Sequence, residues 1–188
     1  MKNQAINLGR IGILSPIAVI FLFWIPVFGQ VLFLAPTVLL LISHHKFSGL
    51  YGKDVIFKNL LIGAIVSFIG SLIGGLIIGA GAIGALAGMG DTAAADFSFG
   101  DLFSGTSILG VIIILAGMIV GVYFVFQALK SLAEESGVKH FKTAGLLYFI
   151  GAITMIIFGL GGLIAFVGWI FHIVAYFTIQ TEKVAPQA

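Results

Sequence analysis

The stretch "YGKDVIFKN" (Tyr51–Asn59) is one of the few polar interruptions in a chain that is otherwise nearly all hydrocarbon. It has an echo 84 positions later in "EESGVKHFKT" (Glu134–Thr143), where Phe141–Lys142 falls in register with Phe57–Lys58. Both stretches read as turns at which the chain meets water, each re-entering an apolar phase through a Phe-Lys pair. Lysine at such a boundary keeps its stem in the apolar zone and its ammonium in water.

The composition on either side identifies that phase. Of 188 residues, 60% are hydrophobic and 9% charged, with a mean hydropathy of +1.22. Soluble domains carry about 25% charged residues. So few charges cannot solvate a globule of this size, but they suit a chain dissolved in lipid. The expectation is an integral, multi-pass protein of the cell membrane in one domain, 1–188, with the bilayer as its principal partner. The absence of cysteine excludes disulfides, thiolate metal sites and cysteine nucleophiles. The N-terminal "MKNQAINLGRIGILSPIAVIFLFW" has the charge order of a signal peptide but no small-x-small cleavage site, and reads as a retained first span.

Four apolar blocks are evident: Ile11–Ile42, Val55–Gly88, Ile108–Phe126 and Ala144–Ile179. A crossing takes about 20 helical residues. The first and last blocks are too long for one crossing and short for two. Each has a break near its middle, "IPVFGQ" (Ile25–Gln30) and "FGLGGL" (Phe158–Leu163), where proline and glycine disfavour continued helix.

Charge decides between the options. With both long blocks folded as hairpins there are six spans, and every basic residue lies on one side: Lys2, Arg10, Lys46, Lys53, Lys58, Lys130, Lys139, Lys142 and Lys183. With four spans the basic residues divide six against three. Cytoplasmic loops are enriched in Lys and Arg, so the six-span arrangement is preferred, with both termini cytoplasmic. The fold class is thus an all-α polytopic membrane bundle, its spans at about 11–25, 31–43, 57–79, 107–127, 144–158 and 162–179. The glycine-rich segment at about 80–106, which carries Asp91, Asp96 and Asp101, reads as an external loop. The first hairpin also matches the last at an offset of 133, with Gly12 on Gly145 and Leu14 on Leu147 among the identities. In so biased a composition, such matches are weak grounds for a repeated hairpin unit.

Small residues mark packing faces. Gly63, Ser67, Ser71, Gly75 and Gly79 recur at every fourth position, and Gly70/Gly74 and Gly117/Gly121 add small-xxx-small pairs. In lipid such stripes let helix backbones approach closely, with packing inside the chain the default.

The search for chemistry is mostly negative. Gly79, Gly81 and Gly84 match G-x-G-x-x-G, but in a membrane segment without strands the match has no dinucleotide meaning. The sequence has no metalloprotease, nucleophile-elbow, phosphate-loop or calcium-loop motif. Apart from Lys58 at the very edge of span three, no Asp, Glu, Lys or Arg falls inside a proposed hydrocarbon span, where carriers usually expose one. The polar side chains at depth are His172 and Tyr176 on span six, with Tyr148 and Thr154 on span five. These four form the candidate cluster, read either as a polar packing contact or as a ligand or proton site. His44 and His45 are read as interfacial and solvated. No catalytic residue, cofactor or metal is expected, and nucleic acid is not an expected partner.

The loop signatures "FSGLYGKDVIFKNLLIG" and "LKSLAEESGVKHFKTAGLLYFIGA", with "IPVFG" in the first hairpin, resemble a prokaryotic membrane family catalogued as domain of unknown function 996. The resemblance runs from about Leu8 to Gln180. It implies a small multispanning protein and supplies no activity. The favoured expectation is a structural or accessory membrane protein that contacts a second copy or another membrane protein. The alternative is a small transporter or channel for a neutral or weakly polar solute.

Overall fold

The computed structural model describes residues 2–22, 28–88, 105–155 and 160–179, and all the regular structure in them is helical. In chain order the helices are α1 (Lys2–Leu22), α2 (Phe28–Tyr51), α3 (Asp54–Gly88), α4 (Gly105–Ser136), α5 (Lys139–Thr154) and α6 (Leu160–Thr178). Each of the two over-long apolar blocks is therefore two helices. Of the break residues, 25–27 and 158–159 lie outside the described residues, whereas 28–30 and 160–163 already belong to α2 and α6.

The two basic turns take up two residues each. Gly52 has φ +64° and Gly137 has φ +73°, directly after the ends of α2 and α4. This left-handed conformation is cheap only for glycine. The Lys53 N–H donates to Ser48 O at 3.0 Å, a closing bond that satisfies a carbonyl of the last turn of α2.

Helix bounds differ from the expected spans mainly at the basic ends. α1 starts at Lys2 rather than near 11, α2 runs on to Tyr51, and α4 continues to Ser136. Hydropathy marks where the chain leaves an apolar phase, whereas helix hydrogen bonding continues until a glycine stops it. The loop expected at about 80–106 is also shorter: α3 continues through "GAGAIGALAG" to Gly88. Glycine costs about 1 kcal/mol relative to alanine in a helix, but in an apolar phase the backbone groups have no other partner. Residues 89–104, with the three loop aspartates, lie outside the described residues.

The chain divides into two compact units, Met1–Ala64 with Val122–Ala188, and Ile65–Gly121. In the first, α1 and α2 run antiparallel: Ser43 packs on Ala5, and a Cβ on Gly12 would touch Leu39 and Leu40. α5 and α6 are likewise antiparallel, with Gly151 against Gly161 and Ala165, and Gly168 against Ala144 and Leu147. The core of this unit draws on α1 (Ala5, Ile6, Ile13), α2 (Phe47), α3 (Ile56), α4 (Leu129, Leu132), α5 (Phe141) and the end of α6 (Ala175, Tyr176, Ile179). Most of these residues belong to the helix ends beyond the apolar spans. That placement has a physical reason, because burying apolar surface is favoured only where the alternative is water.

In the second unit, α3 and α4 meet backbone to backbone. A Cβ on Gly70 would sit 2.8 Å from Gly117 Cα, and one on Gly74 would collide with Gly110 O. Elsewhere on these helices the large apolar side chains face outward: Phe68, Leu72 and Leu76 are among those exposed on α3, and Leu109 and Ile112 on α4. Among the described residues, three helical stretches are long and apolar enough to cross a membrane: Asp54–Gly81, Ser107–Ser136 and Leu160–Thr178. Only 17%, 11% and 28% of their apolar windows are buried, so their hydrocarbon is directed at the surroundings and not at a core.

Candidate functional site

The polar cluster sits where α1, α2, α5 and α6 converge. His172 on α6 is packed among three rings: Phe141 edge-on at 5.8 Å, Tyr148 edge-on at 5.9 Å and Tyr176 stacked at 5.2 Å. Its Nδ1 lies 3.3 Å from the Tyr148 hydroxyl. Tyr176, one turn further along α6, is fully buried and presents its edge to His44 on α2.

Hydrogen-bond direction can be worked out from the acceptors. Ser43 Oγ donates to Ala5 O at 2.7 Å, which uses its one proton. The Tyr176 hydroxyl, 3.4 Å from Ser43 Oγ, is then the donor of that longer contact. A carbonyl can only accept, so His44 Nδ1 carries the proton that bonds to Leu40 O at 2.9 Å. His44 Nε2 is therefore a bare lone pair, buried and without a partner. His172 Nε2 is buried and without a partner as well.

Three of the four expected cluster residues are thus brought together: His172, Tyr176 and Tyr148. Thr154 is not part of the group, since its hydroxyl donates back to Ile150 O at 2.8 Å and approaches Gly151 O at 3.3 Å, both on its own helix. Ser43 and His44 join instead. Reading His44 as solvated is corrected by its full burial, whereas His45 beside it is exposed and packs on Phe57 at 4.8 Å. Neighbours on a helix point about 100° apart, so one of the pair faces the core when the other faces out. Only hydropathy separated these residues from the site, and hydropathy ignores which face of α2 is covered.

Two further bonds tie α6 to the start of the chain. Arg10 Nε donates to Tyr176 O at 3.0 Å while its guanidinium lies 4.7 Å over the Phe177 ring, and Trp169 Nε1 donates to Ile13 O at 2.9 Å. Gly9 leaves room for Tyr176, since a Cβ there would collide with the ring. The cluster is a sealed joint. His172 is 4% exposed, and among the described residues no group of three metal-ligating side chains occurs.

The expected packing stripe is shared between different surroundings. Gly63 and Gly121 are buried and Gly117 meets Gly70, but Ser71 and Gly75 are exposed. Nothing lies within 4 Å of a Cβ added at Gly75 or Gly79. The possible repeat gains no support at its matched glycines: Gly12 packs on α2, while Gly145 packs on Phe126 and Leu129 of α4.

A second polar feature lies at the turn between α2 and α3. A groove of about 390 Å³ is lined there by His45, Lys46, Gly49, Asp54, Phe57 and Lys58. Lys58 reaches Asp54 at 3.3 Å and Lys46 donates to Gln4 Oε1 at 3.3 Å. Lys53 and Glu135, at 3.6 Å, link this turn to the end of α4.

An all-helical fold, outward-facing hydrocarbon and three helices long and apolar enough to cross a bilayer define the class as a membrane-type helical protein. The chain belongs to the family described as protein of unknown function (DUF996), which matches residues 32–170. An uncharacterized protein of Methanocaldococcus jannaschii is 28% identical over 154 residues, covering 82% of each chain. No solved structure matches.

Proposed function

We propose that this chain is a multi-pass protein of the cell membrane with a structural or accessory role, spanning the bilayer six times with both termini in the cytoplasm. The observation that carries this reading is the small-residue face of α3. Ser71 and Gly75 are exposed, and a Cβ added at Gly75 or Gly79 would meet none of the described residues within 4 Å; in lipid such a strip suits the backbone of another helix. A second copy or another membrane protein would supply that helix.

The test is association in lipid. The full chain in native lipid discs should form a discrete oligomer, or carry a stoichiometric membrane partner after crosslinking, and Gly75→Leu should abolish that species while leaving the monomer folded. A strictly monomeric chain without a crosslinked partner would overturn the reading. The alternative, a small transporter or channel for a neutral solute, needs its polar side chains on an open path. The burial of His172 among Phe141, Tyr148 and Tyr176 speaks against that version.

A further inference from the structure

The groove between the end of α2 and the start of α3 combines features that separately would mean little. Its mouth carries two ammonium groups, Lys46 and Lys58, against the single carboxylate of Asp54, and its wall is the Phe57 ring. Its volume, about 390 Å³, falls in the roughly 300–1,000 Å³ range of sites that hold small ligands. Gly49 on its wall borders open space, since a Cβ added there would meet none of the described residues within 4 Å.

The surroundings indicate what kind of ligand fits. On α2, Val38, Ile42, His45 and Gly49 follow at spacings of four, three and four, and so share one face. Val38 and Ile42 on that face are exposed. On α3, Val55, Lys58 and Ile62 share a face in the same way, and Val55 and Ile62 are exposed. A polar, cationic groove thus opens directly onto exposed hydrocarbon on both of its walls. A soluble anion would use the groove and leave those stripes bare, whereas a lipid would use both.

We propose that the groove seats the phosphate of an anionic phospholipid headgroup between Lys46 and Lys58, with the acyl chains lying along the Val38–Ile42 and Val55–Ile62 faces. Lys58 is free to turn toward the phosphate, because its partner is an exposed i, i+4 carboxylate and such pairs hold weakly. Basic sites at the cytoplasmic ends of spans are the usual place for such headgroups. The proposal rests on the membrane reading above, but not on association between chains.

The experiment titrates phosphatidylglycerol into the detergent-purified full chain and reads the lipid-bound fraction by native mass spectrometry. Lys46→Gln with Lys58→Gln should weaken binding about twenty-five-fold, from roughly fivefold per lysine. Lys130→Gln with Lys142→Gln, outside the groove, should change it less than about twofold. Gly49→Leu should weaken it as strongly as the groove pair while every charge is kept. Equal losses from both lysine pairs, or no loss in Gly49→Leu, would mean diffuse adsorption and overturn the site. Displacement of the lipid by millimolar glycerol 3-phosphate would mean a soluble phosphate ligand, and would overturn the lipid assignment. Failure of the chain to sediment with membranes would be seen before any titration, and it counts against the membrane reading itself.

Discussion

At the scale of single residues, Tyr51 shows how the turn joins the bundle. It stacks on the buried Phe47 ring at 6.1 Å, nearly parallel, at the end of α2. Partial burial, and secondarily the nearby Glu135 carboxylate, push its phenol above the ordinary value of 10.0. A phenol whose folded value is raised supports the fold fully below about pH 10 and loses that support as pH climbs toward the folded value. Thermal unfolding in detergent should therefore show a steeper alkaline decline in the wild type than in Tyr51→Phe, with no difference between them from pH 7 to 9. His44 shows the opposite limit of legibility. Its neighbours "ISHHKF" look like a chain reaching water, and only the covering of one face by Ala5 and Tyr176 makes it a core residue. A facing partner 132 positions away, Tyr176, leaves no local signal.

At the scale of elements, sequence hydropathy located every helix, because apolar runs and glycine stops are local. Gly137, directly after the end of α4, has the positive φ that stopping a helix there favours. The ends were not legible, because a helix that emerges into water keeps its hydrogen bonds while its composition turns polar. The α3–α4 contact separates two kinds of glycine that look identical in sequence. A Cβ added to Gly70 would lie 2.8 Å from Gly117 Cα, and backbone cannot yield, while one added to Gly75 would enter open space. Gly70→Leu should destabilise the chain by about 1–3 kcal/mol or more through overpacking. Gly75→Leu should leave monomer stability within about 0.5 kcal/mol, the usual range for a surface change. Denaturant titration in a fixed detergent compares the two directly.

At the scale of the whole molecule, the nine basic residues and the chain's turns define a topology that can be tested cheaply, because there are no cysteines to remove. Single cysteines in place of Lys53 and Lys139 should resist a membrane-impermeant thiol reagent in intact cells, while those in place of Phe28 and Leu160 should be labelled. Labelling of Lys53→Cys, or protection of both Phe28→Cys and Leu160→Cys, would overturn the six-span arrangement. Charge placement, visible one lysine at a time, is the ground on which the six-span arrangement is proposed. The polar joint was only half visible: His172, Tyr148 and Tyr176 stood out as polar groups in an apolar run, but their partners on α1 and α2 depend on how distant segments close.

That closure bears on how the protein is made. Ala5 and Ile6 at the very start of the chain are covered together with Tyr176 and Ile179 near its end, and Arg10 bonds to a carbonyl 166 positions away. A ribosome therefore inserts most of the helices before the first turn of α1 acquires its cover. Until Tyr176 is in place, Ala5 and Ile6 lack that cover, so a chain that stops short of it carries bare apolar side chains at its beginning, the kind of surface that invites aggregation.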